Sequence, residues 1–182
     1  MATFAMSEAL TIIIKGNDPS KAAKQISLTD LGSIKVSKEE TKQMAVTIPR
    51  SSILGFIVGV LPGAGATIAS FLAYGMERNF VKNEEKEKFG KGSVQGLSAP
   101  ETANNAACSG SFVPLLTLGI PGSGTTAVML GALLGFGIQP GPRLYETNPD
   151  IFWSVIMSMY IGMVVLLILN LPLIPYIARI LA

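Results

Sequence analysis

Gly119-Ile120-Pro121-Gly122-Ser123-Gly124-Thr125-Thr126 decides how this chain is read, together with its earlier echo Gly59-Val60-Leu61-Pro62-Gly63-Ala64-Gly65-Ala66-Thr67. Both copies have the form Pro-Gly-(small)-Gly-x-Thr, and both interrupt long apolar runs. A run that apolar favours a membrane helix. Proline removes a backbone donor and clashes with the preceding turn, and glycine adds an entropic cost, so neither run is expected to stay continuous. At membrane depth the freed N–H and C=O groups need protein, water or a ligand to satisfy them. The half-helix after each break points unpaired N–H groups and a positive dipole end at the gap, which suits an anion. Paired interruptions of this kind are the best sequence pointer to the binding site of a secondary transporter.

Charge divides the chain. Of its 182 residues only 14% are charged, against 49% hydrophobic. Residues 1–50 and 77–92 hold nearly all of those charges; elsewhere only Glu101, Arg143, Glu146, Asp150 and Arg179 are ionised. This is the pattern of apolar segments with polar punctuation. A net charge of +2 is too small to argue for nucleic acid. There is no histidine, and the single Cys108 allows neither an internal disulfide nor a cysteine-based zinc site. No nucleophile–base pair is evident, so an enzyme is not expected, and no bound cofactor is implied. Gly90-Lys91-Gly92-Ser93 lacks the spacing of a phosphate-binding P-loop.

The expected fold is all-α, a polytopic integral membrane protein with a re-entrant helical hairpin and a discontinuous transmembrane helix. Residues 4–14 read as the start of an amphipathic or interfacial helix, or as the tail of a segment whose beginning is missing, and 15–48 as a Lys-rich surface loop with one or two short helices. Residues 1–50 are thus a cytoplasmic N-terminal region and 51–182 the transmembrane region. Thr47-Ile48-Pro49-Arg50-Ser51-Ser52 suits a helix start. Basic flanks on both sides of 53–76 favour a hairpin over a single span. Its halves are 51–61 and 66–76, each roughly 16 Å long. Residues 77–92 read as solvated, with a Glu84–Lys88 pair supporting a short helix and Phe80 and Phe89 near the interface. Ala99-Pro100-Glu101 starts the second apolar block, which breaks at 121–124 and resumes from about Thr125 to Phe136. Gln139-Pro140-Gly141-Pro142 is a loop. Residues 151–169 form one uninterrupted span, anchored by Trp153 and ended or bent by Asn170, Pro172 and Pro175.

Two constellations carry chemistry. The first is a candidate anion site from the backbones of Gly63, Ala64 and Gly65 and of Gly122, Ser123 and Gly124, with hydroxyls from Thr67, Ser123, Thr125 and Thr126. The competing reading makes these glycines simple helix-crossing points. The second is Glu101, Asn104 and Asn105, whose offsets place them near one helix face. An ionisable residue at membrane depth is a functional candidate, here for Na⁺ or H⁺ coupling. The alternative makes Glu101 a helix cap and the asparagines helix–helix glue. Cys108 reads as a small packing residue.

The segments at 59–70, 99–106 (Ala-Pro-Glu-Thr-Ala-Asn-Asn-Ala) and 116–127, with Gly-Ile-Gln-Pro-Gly-Pro at 137–142, closely resemble the large membrane subunit of the tripartite tricarboxylate transporters, TctA type. The resemblance covers about 50–175. It implies a cation-coupled secondary transporter for tricarboxylates and dicarboxylates in the bacterial inner membrane, multi-pass. It further implies a small membrane subunit and a periplasmic substrate-binding protein as partners. Members are long and built of two related halves, so the chain resembles a C-terminal-half fragment that needs the remaining half. The alternative function is a non-transporting scaffold or assembly subunit, or a truncated remnant.

Overall fold

The computed structural model describes residues 36–181, together with Met6 and Leu10. The expected interfacial helix at 4–14 and most of the loop expected at 15–48 lie outside the described residues. Residues 36–162 form one compact unit; of the other unit (1–35 and 163–182), the helical stretch 163–181 is described. The described residues carry no strand, and their helices are α1 (Lys38–Val60), α2 (Gly65–Phe80), α3 (Asn83–Lys86), α4 (Val94–Gly110), α5 (Phe112–Leu118), α6 (Gly124–Gly135), α7 (Leu144–Thr147) and α8 (Pro149–Leu181). The all-α expectation holds for them.

α1 starts well before the expected 47–52. Ser37 accepts from the Glu40 N–H at 3.1 Å, and the Glu40 carboxylate accepts from the Ser37 N–H at 2.7 Å. This capping box satisfies two of the donors a helix start leaves orphaned. The helix then runs through Pro49, which lies inside it. Residues 38–50, expected mainly as loop, are therefore the first turns of the helix that carries the first break.

α1 ends at Val60, and α2 returns from Gly65, joined by Leu61-Pro62-Gly63-Ala64. Gly63 and Gly65 take φ of +82° and +69°, the left-handed region that an L side chain resists. The two helices form a hairpin: Thr47 and Arg50 on α1 meet Glu77 near the far end of α2. α4 packs along both arms. It begins at Val94, capped by the Ser93 hydroxyl, so Pro100 and Glu101 lie within the helix and not at its start.

Small side chains make this close packing possible. Ser51, Gly55 and Gly59 recur every fourth residue on α1, and Ala99, Ala103 and Ala107 do so on α4; all six are buried. A Cβ on Gly55 would stand 2.4 Å from the Ala103 carbonyl oxygen, and one on Gly59 2.3 Å from that of Ala107. α2 contributes Ala69 and Ala73. Meanwhile Ile53, Phe56, Ile57, Phe71 and Leu72 are exposed. Small residues inside and large apolar residues outside invert a water-soluble core and follow the rule for helices packed in lipid.

Among the described residues, two helices are long and apolar enough to cross a membrane, Lys38–Val60 and Pro149–Ile174. Of the two outcomes expected at Asn170, Pro172 and Pro175, an end or a bend, α8 does not take the first: it continues to Leu181. The Asn170 side chain folds back to donate to the Leu166 carbonyl at 2.8 Å, so its polar end is satisfied within the helix. The surface pair also differs from expectation: Lys88 binds Glu85 at 2.7 Å, not Glu84. Phe89 is buried against Tyr74, while Phe80 is exposed.

Candidate functional site

The second break is built from its two flanking helices. α5 closes on Gly119, at φ +69°, whose N–H donates to the Leu115 carbonyl, while the Ile120 N–H donates to Pro114. This paired closure is a helix C-terminal cap that needs a left-handed residue. A Cβ at Gly119 would also lie 2.8 Å from the Pro140 carbonyl oxygen, so the loop after α6 leans on this glycine. That loop is held by the Gly141 N–H, which donates to the Leu116 carbonyl at 3.2 Å. Ser123 then opens α6.

The structure brings the two breaks together. Gly63, Gly65, Ala66 and Thr67 from the first and Gly122, Ser123, Gly124, Thr125 and Thr126 from the second line one cleft of about 670 Å³. Cys108, Ser111 and Phe112 form part of its wall. Gly122 is buried against Ser111, where a Cβ would stand 3.1 Å from the serine Cβ. Among the described residues, no charged side chain lines the cleft. Its positive potential comes from the starts of α2 and α6, whose first-turn N–H groups have no intrahelical partner.

Among the expected donors, three are otherwise engaged. The Ala64 N–H donates to Leu61 at 3.2 Å, and Ala64 packs against the alanine core; Ala66 takes its place on the cleft wall. The Ser123 N–H donates to the Thr126 hydroxyl at 2.8 Å, and the Thr126 N–H to the Ser123 hydroxyl at 3.2 Å. Thr126 is buried, so its hydroxyl serves as a cap. The backbone N–H groups of Gly65, Ala66, Gly124 and Thr125 carry no hydrogen bond within the described residues, and neither do the hydroxyls of Thr67 and Thr125. Cys108, read as a packing residue, is exposed on the cleft wall.

A second cleft, of about 460 Å³, lies between α2 and α4 and is lined by Glu101 and Asn104 with Thr67, Ser70, Phe71, Tyr74 and Pro100. Asn105 is not part of its lining; its amide donates to the Glu101 carbonyl at 3.1 Å. Asn105 is exposed, as Glu101 is. Thr67 lines both clefts.

Residue reasoning missed a polar cluster at the opposite end of the hairpin. Glu77, assigned to the solvated segment, is 0% exposed. Its Oε1 accepts from the Thr47 hydroxyl at 2.8 Å and from Arg50 at 2.9 Å, with the Gln95 amide at 3.5 Å. The signal was present: Glu77 continues the four-residue spacing of Ala69 and Ala73 along the packed face of α2.

All-helical chains with helices apolar enough to cross a bilayer, and two interrupted helices around one uncharged cleft, form the class that includes secondary transporters. This chain belongs to the tripartite tricarboxylate transporter TctA family, whose profile matches residues 1–182. That is a family of transporters, not of enzymes. Among its relatives is the "uncharacterized 52.8 kDa protein in TAR-I ttuC' 3'region" of Agrobacterium vitis, 48% identical over 139 residues. A second Agrobacterium vitis protein, "uncharacterized protein in TAR-II ttuC' 3'region", is 50% identical over 120 residues. The alignments cover 76% and 66% of this chain but 27% and 49% of those relatives, so the chain spans about a quarter and half of their lengths. No solved structure matches it.

Proposed function

We propose that the chain is part of the membrane subunit of a cation-coupled secondary transporter for tricarboxylates and dicarboxylates in the bacterial inner membrane. The observation that carries this reading is the convergence of both Pro-Gly breaks on one cleft without charged side chains. A polycarboxylate needs a positive potential there. Fixed N–H dipoles of Gly65, Ala66, Gly124 and Thr125 supply it without a mobile cation that would hold the substrate too tightly to release. The hydroxyls of Thr67 and Thr125 add hydrogen bonds. Glu101 and Asn104 border the neighbouring cleft, where a carboxylate and an amide oxygen suit Na⁺ or H⁺. Thr67 stands between the two, so occupancy of one cleft is felt at the other. The hairpin is re-entrant in this reading, and alternating access opens the cleft first to one side of the membrane, then to the other. A small membrane subunit and a periplasmic substrate-binding protein are the expected partners.

The test is uptake of labelled citrate and of dicarboxylates by cells expressing the chain together with the sequence its longer relatives carry, with and without Na⁺ and across a pH gradient. Saturable uptake that depends on one of the two cations is expected. Uptake indifferent to both gradients, or none for any carboxylate despite membrane insertion, contradicts the proposal.

A further inference from the structure

We infer that a cleft at the base of the hairpin, remote in sequence from either Pro-Gly break, is a binding site for the phosphate headgroup of an anionic phospholipid. The cleft, of about 440 Å³, is lined by Lys42 and Arg50 on α1, Lys82 just beyond α2 and Gln95 on α4, with Val46 and Phe80 as apolar walls. Its charges do not cancel. Glu77 is held by Arg50, and Glu85, which also lines the cleft, is held by Lys88. Lys42 and Lys82 have no ion pair among the described residues, and Arg50 keeps its Nε without a partner. Two uncompensated ammonium groups and the Arg50 side chain thus line one concavity, together with Gln95.

Position selects the ligand. Residues 51–76 carry no charge, whereas 38–50 and 77–92 are rich in charge, so the cleft sits where the polar and apolar parts of the hairpin meet. At that height a bilayer presents phosphate groups with acyl chains directly beside them. Arg50 lies 4.8 Å over the Phe80 ring, which leaves the ring 64% exposed for an acyl chain. Free phosphate would use the cations but not the exposed Phe80 and Val46. Basic residues at a membrane surface favour anionic lipid by roughly five-fold each. This inference rests on the membrane placement proposed above, but not on the carboxylate.

The experiment places a fluorophore in the cleft. Trp153, the sole tryptophan, is removed by Trp153→Phe, and Phe80→Trp supplies a reporter. The whole chain is reconstituted into vesicles containing brominated phosphatidylglycerol or brominated phosphatidylcholine, and quenching is compared. Phosphatidylglycerol is expected to quench at a several-fold lower mole fraction. Lys42→Gln with Lys82→Gln is expected to abolish that preference. Both lysines are exposed, so the helical circular dichroism is expected to stay unchanged. Equal quenching by the two lipids, or a preference that survives the double substitution, overturns the site. Loss of the preference on adding excess inorganic phosphate assigns the cleft to free phosphate and overturns the lipid. Quenching by neither lipid contradicts the membrane placement instead.

Discussion

Gly65 and Gly124 each open a helix at a break, but they are glycine for different reasons. Gly65 has φ +69° with open space around its Cα, so Gly65→Ala meets no atom yet strains the backbone. It is expected to cost about 1 kcal/mol of stability in detergent-based unfolding. Gly124 has ordinary backbone angles and nothing within 4 Å of a built Cβ. Gly124→Val therefore leaves the fold intact and fills the shared cleft. It is expected to reduce carboxylate uptake to background with unchanged thermal unfolding; normal uptake would remove the start of α6 from the site. The local sequence hides one distinction among the cleft residues. Thr125 and Thr126 look equivalent in a run, yet Thr126 caps the helix and is buried while Thr125 faces the cleft. Helical phase decides between them, and it is set by Ser123 as N-cap.

At the scale of elements, α1, α2 and α4 are held by backbone proximity at one end of the scale of side-chain size and by one buried carboxylate at the other. Gly55→Val drives a side chain into the Ala103 backbone, which cannot move out of the way as a flexible side chain could. It is expected to cost about 3 kcal/mol or more, the upper range for overpacking, while Gly131→Ala, inside α6 with nothing within 4 Å, is expected to stabilise by about 0.5–1 kcal/mol. Glu77→Gln removes the charge that Arg50, Thr47 and Gln95 all address. Because Arg50 is 30% exposed and can turn to water, the expected loss is roughly 2 kcal/mol, below that for a fully buried pair. Unfolding in mixed detergent micelles reads both. Both breaks were legible in the sequence because Pro and Gly act on the backbone where they stand. The start of α1 was less so: Ser37-Lys38-Glu39-Glu40 has the capping-box spacing, but polar composition masks it. α8 runs on past Asn170, Pro172 and Pro175, expected to end or bend it, because proline is tolerated in an apolar helix where other groups re-satisfy the backbone. The pairing of the two breaks was legible in their shared pattern; which side chains wall the cleft between them was not, since the places of Cys108 and Ser111 depend on how α4 packs against α1 at the Gly55–Ala103 and Gly59–Ala107 contacts.

For the molecule as a whole, one cleft is shared by two distant segments, and the chain carries its own reporter of it. Cys108 is the sole cysteine, it is exposed, and it lines that cleft. The direct measurement is the rate of maleimide alkylation of Cys108 in membranes from cells expressing the chain together with the sequence its longer relatives carry. It is taken with and without citrate, beside a monovalent anion such as chloride at matched ionic strength. Citrate is expected to slow alkylation in a saturable manner, chloride is not, and Gly124→Val is expected to abolish the citrate effect. An alkylation rate that citrate leaves unchanged in the unsubstituted protein would contradict the claim that the two breaks enclose a carboxylate site.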